Sequence, residues 1–88
     1  MHKEIAQWLY DKIISEGGVY QLEAVHEISE KFGEKYTYYN DNGNLAIDKK
    51  ITREFRKINQ GEIVWDREEY RWLYIGDEEE TKKAIDRL

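Results

Sequence analysis

The chain has 88 residues and a formal net charge of −5, with 40% hydrophobic and 38% charged residues, which fits one small, folded domain. It contains no cysteine, so disulfide frameworks and thiolate metal sites are excluded, and a cytoplasmic location is expected. The acidic balance argues against a generic nucleic-acid binder, and the absence of a long apolar run argues against a membrane-spanning helix.

Two segments near the start have helical spacing. Residues His2–Glu16 place apolar side chains and Lys12 on one side of a helix, and Gly17-Gly18 ends it. The stretch "VYQ" predicts a short extended segment. Residues Leu22–Phe32 predict a second helix, with Gly33 at its C-cap.

A long connection and a third helix come next. The segment Glu34–Asn44 is rich in Tyr and Asn, and its Asn42-Gly43 pair predicts a turn. Asn44 is a suitable N-cap, so we expect the third helix to run from about Leu45 to Asn59. Its apolar residues cluster on one face: Ile47, Ile51, Phe55 and Ile58.

The remaining pattern predicts a β-hairpin and a final helix. In "EIVWDREEYRWLYI", β-branched and aromatic residues flank the charged turn "DREE". Residues 77–88, "DEEETKKAIDRL", place acids before bases, which suits a helix dipole. We expect this helical extension to pack on the domain or at a dimer interface.

The order of three helices and a hairpin resembles the winged helix-turn-helix, over about residues 3–75. The segments "FGEKYTYYNDNGNLAI", "FRKI" and "VWDREEYRW" also resemble a group of small bacterial and phage winged-helix-like proteins without an assigned function. The resemblance implies an α+β winged helix over residues 1–76, with the C-terminal hairpin as its wing. The connection between the second and third helices departs from this pattern, because it is much longer than the usual 3–4-residue turn.

The strongest functional pattern is a basic stripe on the third helix. Residues 47–58 carry a local charge of +3 in a chain of charge −5. At helical spacing the basic residues share one face, nearly opposite the apolar face. In winged-helix proteins this helix resembles a DNA reader, and Arg and Lys suit guanine edges and phosphates. The predicted contacts with double-stranded DNA are Lys49, Lys50, Arg53, Arg56 and Lys57, with Arg67 from the wing.

Two other interpretations of the stripe remain open. A helix can cover its outer face with Lys and Arg simply to be solvated, and Glu54 can pair with Lys50 or Lys57. The stripe could also bind an acidic protein. The second helix places Glu23, Glu27 and Glu30 outward, and the wing tip is acidic. We therefore expect one chain to bind DNA weakly and to need a homodimer or a partner.

The aromatic hairpin is the second candidate surface. Which face of the hairpin is buried depends on the length of its turn, so the register stays open. With Trp65 opposite Tyr70, the buried face would hold Ile63, Trp65, Tyr70, Trp72 and Tyr74. Core packing is the simpler interpretation, and exposed aromatic residues would instead indicate a protein interface. The candidate interface residues are Tyr70, Trp72, Tyr74, Ile85 and Leu88.

Little in the sequence indicates catalysis or a bound cofactor. There is no Gly-rich phosphate loop, and the two histidines, His2 and His26, cannot form a histidine cluster. The spacing of Glu23 and His26 occurs in carboxylate-bridged metal bundles, but those need two such copies. "NDNGN" lacks the spacing of a calcium loop. We expect a non-enzymatic DNA-binding regulator without cofactors; the alternative is a winged-helix protein-interaction module, such as an acidic phage-type inhibitor or assembly adaptor.

Overall fold

The computed structural model describes residues 1–76 and has a mixed α+β architecture. The predicted C-terminal helix, with Ile85 and Leu88, lies outside these residues. A single turn of 3₁₀ helix, Glu34–Tyr36, follows the second α-helix. The elements in chain order are α1 (His2–Glu16), β1 (Gly18–Tyr20), α2 (Gln21–Phe32), β2 (Thr37–Tyr39), β3 (Leu45–Ile47), α3 (Lys49–Ile58), β4 (Ile63–Asp66) and β5 (Arg71–Tyr74).

The first two helices lie where the sequence predicts them. Helix α1 has the predicted bounds and ends at Gly17, which adopts a left-handed conformation (φ 81°) that a residue with a side chain rarely takes. The Gly17 amide donates to the carbonyl of Ile13 at 2.8 Å and closes the last turn. Helix α2 begins one residue earlier than predicted, at Gln21, and Gly33 follows it as the C-cap.

The connection before α3 contains a hairpin that the sequence analysis did not predict. Strands β2 and β3 pair antiparallel, with Tyr38 opposite Ala46. The Asn40 side chain accepts bonds from the amides of Asn42 and Asn44, both at 3.0 Å, and Gly43 has φ 77°. The Asn-Gly turn is therefore confirmed, and it closes this hairpin.

The predicted start of α3 was wrong. Leu45–Ile47 forms a strand, and Asn44 lies in the turn before it. The N-cap is Asp48, whose carboxylate accepts a bond from the Lys50 amide at 2.9 Å. Pairing with β2 holds the backbone of residues 45–47 extended. Ile47 is therefore buried as part of a strand and not as part of the helix.

The second sheet joins β1, which follows the first helix, to the two strands near the end of the described residues. Its strand order is β1-β5-β4, so β5 is central and pairs antiparallel with both neighbours. The predicted hairpin is confirmed, and the structure supplies the register that the sequence left open. Trp65 lies opposite Trp72, and residues 67–70 form the loop between the strands.

The core lies between α1, α2, α3 and this sheet. Helix α3 turns Ile51 and Phe55 inward, and the Phe55 ring packs near Tyr10 of α1 and Trp72 of β5. The fully buried large side chains are Ile5, Leu9, Ile13, Val19, Val25, Ile28 and Ile51. No helix of residues 1–76 is long and apolar enough to cross a membrane.

Lys12 is a cation on the inward side of α1, and three neighbouring carboxylates account for its position. Its ammonium group lies 2.7 Å from Glu16, 3.1 Å from Glu27 and 3.6 Å from Glu23, and its side chain is 15% exposed. The hydrogen bond to Glu16, followed by the contact with Glu27, raises the pKa of Lys12 above its ordinary value. One cation thus connects α1 to the acidic side of α2.

Replacing Lys12 with Met should destabilise the fold, because three carboxylates would then face one another without a cation. We expect the free energy of unfolding to fall by about 1–3 kcal/mol. Urea unfolding followed by circular dichroism measures this. Lys3→Met, at an exposed position of the same helix, should change it by about 0.5 kcal/mol or less. Equal effects of the two substitutions would contradict the role given to Lys12.

Candidate nucleic-acid interface

The basic residues predicted on the third helix lie on one exposed face of α3. Because Ile51 and Phe55 are buried against the core, the opposite side of this ten-residue helix faces solvent. All five predicted side chains are exposed: Lys49, Lys50, Arg53, Arg56 and Lys57. The correction to the start of α3 leaves this stripe intact, since its first member is also the first helical residue.

Most of the stripe is not neutralised by neighbouring carboxylates. Lys57 pairs with Glu54 at 3.2 Å. Within residues 1–76, no ion pair engages Lys49, Lys50, Arg53 or Arg56. The ammonium group of Lys49 lies 6.0 Å from the centre of the Tyr38 ring, within cation–π range. The face therefore presents several cations to solvent.

Two of the three acidic residues predicted to face outward on α2, Glu23 and Glu30, are exposed, and Glu27 is half-buried. Glu23 and Glu27 also lie near Lys12 of α1, at 3.6 and 3.1 Å. Two of the three carboxylates thus contact a cation of another helix. Lys12 therefore offsets part of the negative charge of α2.

The predicted wing tip is the loop between β4 and β5, and Asp66 closes it. Its carboxylate accepts bonds from the amides of Glu68 and Glu69, at 3.1 and 3.4 Å, and from Arg71 Nε at 3.1 Å. The hydrogen bond from Arg71, followed by those from the two amides, lowers the pKa of Asp66. Arg67 lies exposed in this loop, between acidic neighbours.

Two adjoining pockets form a groove along α3, which we call the α3 groove. Their volumes are about 340 and 360 Å³, and they share Gln21, Thr52 and Arg56. The first also contacts Phe55, Asn59, Ile63, Trp65 and Trp72. The second also contacts Tyr38, Ala46, Ile47, Lys49 and Arg53.

Sequence reasoning did not assign several of these residues to the site. Gln21 begins α2, Tyr38 lies on β2 and Trp65 lies on β4, so only tertiary packing brings them beside α3. The backbone amide of Gln21 donates a hydrogen bond to the Tyr70 carbonyl at 2.9 Å, which holds Gln21 in this position. The unusual aromatic content of the hairpin was the one signal that pointed toward Trp65.

The predicted protein-interface residues separate into two groups. Tyr70 is 64% exposed and Tyr74 is 39% exposed, as an interface requires. Trp72 is 8% exposed, so it offers a partner little surface. It lies on the central strand, between Val19 and Trp65, and packs near Phe55. Further exposed apolar residues are Tyr20, Leu22 and Tyr39.

Within the part of the chain that the structure describes, no group of three or more His, Asp or Glu side chains is placed to hold a metal ion. Glu23 and His26 are both exposed on α2, and the Glu23 carboxylate lies near Lys12. The Asn-rich turn uses the side chain of Asn40 to bond its own backbone.

Comparison with known proteins identifies a family. Residues 1–74 match DUF6953, described as a family of unknown function, and the chain belongs to this family. No curated protein matches the chain, and no solved structure matches it.

The Asp66 carboxylate should titrate below its ordinary pKa of 3.8. Because the folded-state pKa is lowered, its contribution to loop stability is present above the unfolded value and is lost as the pH falls through the folded value. Carbon-detected magnetic resonance of the side-chain carboxyl measures the midpoint. Arg71→Gln should move the midpoint up toward the ordinary value. Arg67→Gln, the control, should move it little, and a wild-type midpoint at or above 3.8 would mean that the Arg71 pair does not form.

Proposed function

We propose that this member of a family of unknown function is a non-enzymatic winged-helix regulator of bacterial or phage type that binds double-stranded DNA through α3. The arrangement of elements supports the proposal. Three helices are closed by a β-hairpin, and the short strand β1 pairs with β5 of that hairpin. The hairpin β4–β5 would serve as the wing. A regulator of this type would act in the cytoplasm, which agrees with the lack of cysteine.

The observation that carries the proposal is the row of exposed cations on α3 without carboxylate partners in residues 1–76. Such cations gain most from a polyanion, because binding releases the counterions condensed on the phosphates. If the face served only to be solvated, its cations could equally pair with acids along the helix. On α3 only Lys57 has such a partner.

The dimensions of α3 suit the major groove of DNA. Ten helical residues span about 15 Å, and the major groove is wide enough to admit a helix. Arg53 and Arg56, one turn apart, would contact guanine edges or phosphates with their planar guanidinium groups. Lys49, Lys50 and Lys57 would contact phosphates, and Arg67 would contact a phosphate or the minor groove from the wing.

Reversing the charge of Arg53 and Arg56 together should weaken DNA binding strongly. The double variant Arg53→Glu, Arg56→Glu replaces two cations with anions on the contact face, so we expect the affinity for a mixed-sequence duplex to fall at least tenfold. Fluorescence anisotropy at about 50 mM salt measures it. For the wild type, three or four neutralised phosphates give a log–log salt slope of roughly −3.

The matched control reverses Lys3 and Lys31, two exposed lysines outside α3. This double variant has the same net charge as the first, so it separates a local contact from the overall field of the protein. We expect it to retain most of the duplex affinity. If both double variants bind as the wild type does, α3 is not a DNA-binding face.

A second candidate function, a protein-interaction module, is favoured by a different surface. An open pocket of about 590 Å³ lies where α2, the turn of β2–β3 and the wing tip meet. Its exposed apolar residues include Tyr20, Leu22 and Tyr70, which are 49%, 65% and 64% exposed. Exposed apolar side chains grouped in this way are typical of partner surfaces.

The second candidate predicts a different mutational profile. A partner bound at this pocket should be lost from the variant Leu22→Ser, Tyr70→Ser and retained by Arg53→Glu, Arg56→Glu. The wild type and the two double variants serve as baits for affinity capture from a bacterial lysate, and mass spectrometry quantifies the captured proteins. A partner captured equally by all baits would count against this surface.

A further inference from the structure

The α3 groove differs in charge from two other pockets of the described residues. Its walls carry Lys49, Arg53 and Arg56, and none of the described residues that line it is acidic. The whole chain has 19 acidic residues against 14 basic ones. By contrast, the lining of the pocket beside the β4–β5 loop includes Glu69. The lining of a further pocket, beside β2, includes Glu34. The lining of the groove therefore favours an anionic ligand over a cationic one.

Aromatic rings lie at both ends of the groove. Trp65 is 42% exposed and lines one pocket, and Tyr38 is 36% exposed and lines the other. Contacts on two sides hold the indole of Trp65: its ring centre lies 5.1 Å from that of Trp72 and 6.3 Å from that of Tyr70. A ring held in this way loses little conformational freedom when a ligand stacks on it.

Polar side chains lie between the two ends. Gln21, Thr52 and Arg56 line both pockets, and Asn59 lines the one that contains Trp65. The Asn59 side chain is engaged in the turn before β4, where its oxygen accepts bonds from the amides of Gly61 and Ile63. Gln21 can donate to and accept from the edge of a base.

We propose that the α3 groove binds a short unpaired stretch of nucleic acid, with phosphates on Lys49, Arg53 and Arg56 and a base stacked on Trp65. Cations beside exposed aromatic rings are the chemistry that single strands require, because an unpaired base has a free face for stacking. The bases of a duplex are stacked on each other and present only their edges. The inference rests on the proposed function for its ligand class and for the shared cations, and it adds the stacking site and the unpaired state.

The role of Trp65 is tested with a fluorescently labelled strand of twelve thymidines. Loss of one stacking contact weakens binding by about 5- to 150-fold, so we expect Trp65→Ala to reduce the affinity within this range. Trp65→Phe, which keeps an aromatic face, should restore most of the affinity. Tyr39→Ala removes a 74% exposed aromatic residue that does not line the groove, and it should leave the affinity unchanged.

A strand of equal length and charge made of abasic sites separates stacking from charge attraction. We expect the wild type to bind this strand more weakly than the thymidine strand, and Trp65→Ala to show a smaller difference between the two strands. Circular dichroism and the urea midpoint of each variant check that the fold is retained. The inference is wrong if the abasic strand binds as tightly as the thymidine strand, or if Trp65→Ala and Tyr39→Ala have the same effect.

The duplex used for the charge-reversal variants distinguishes the failure of this inference from the failure of the proposed function. Duplex binding that depends on Arg53 and Arg56, together with single-strand binding that ignores Trp65, would overturn the stacking site alone. Single-strand binding that depends on Trp65, with no duplex binding, would overturn the proposed duplex-binding function and retain the groove. Binding of neither ligand would overturn both.

Discussion

The packing of α3 against the core is the constraint on which the rest of the surface depends. Ile51 and Phe55 are buried, and Phe55 packs near Tyr10 of α1 and Trp72 of β5. Because a helix is rigid, burying one of its faces determines where the opposite face points. The exposure of the basic residues follows from this burial, and so does the position of one wall of the α3 groove.

The pairing of β1 with β5 supplies the other wall. It joins segments about fifty residues apart in the chain, with Val19 opposite Trp72. It also brings the start of α2 to the β4–β5 hairpin, where the backbone amide of Gln21 donates to the Tyr70 carbonyl. Since β4 pairs with β5 in turn, Trp65 is held beside Trp72 and next to α3. A duplex on α3 and an unpaired strand in the groove would therefore share Arg53 and Arg56 but contact different neighbours.

Sequence reasoning succeeded for the elements whose determinants are local. The bounds of α1, the C-cap at Gly33 and the turn at Asn42-Gly43 all follow from spacing and from residues with special backbone preferences. It failed where pairing between distant residues decided the result. Residues 45–47 were predicted as helix because they continue the apolar face of α3, but they pair with β2. The sequence left the register of the β4–β5 hairpin open, because the register depends on the turn and on strand pairing, and the structure places Trp65 opposite Trp72.

The sequence by itself therefore determined the mixed α+β composition of helices and hairpin, the amphipathic character of α3 and the placement of its five cations on one side. These properties depend on residues within a few turns of each other, whose relative directions the helix imposes. Only the tertiary structure decided that Trp72 is buried while Trp65 stays exposed, that Lys12 contacts the acids of α2, and that Gln21, Tyr38 and Trp65 line one groove with the arginines of α3. The reason is that these contacts join residues from separate elements, whose distances are set by core packing and strand pairing and not by their spacing along the chain.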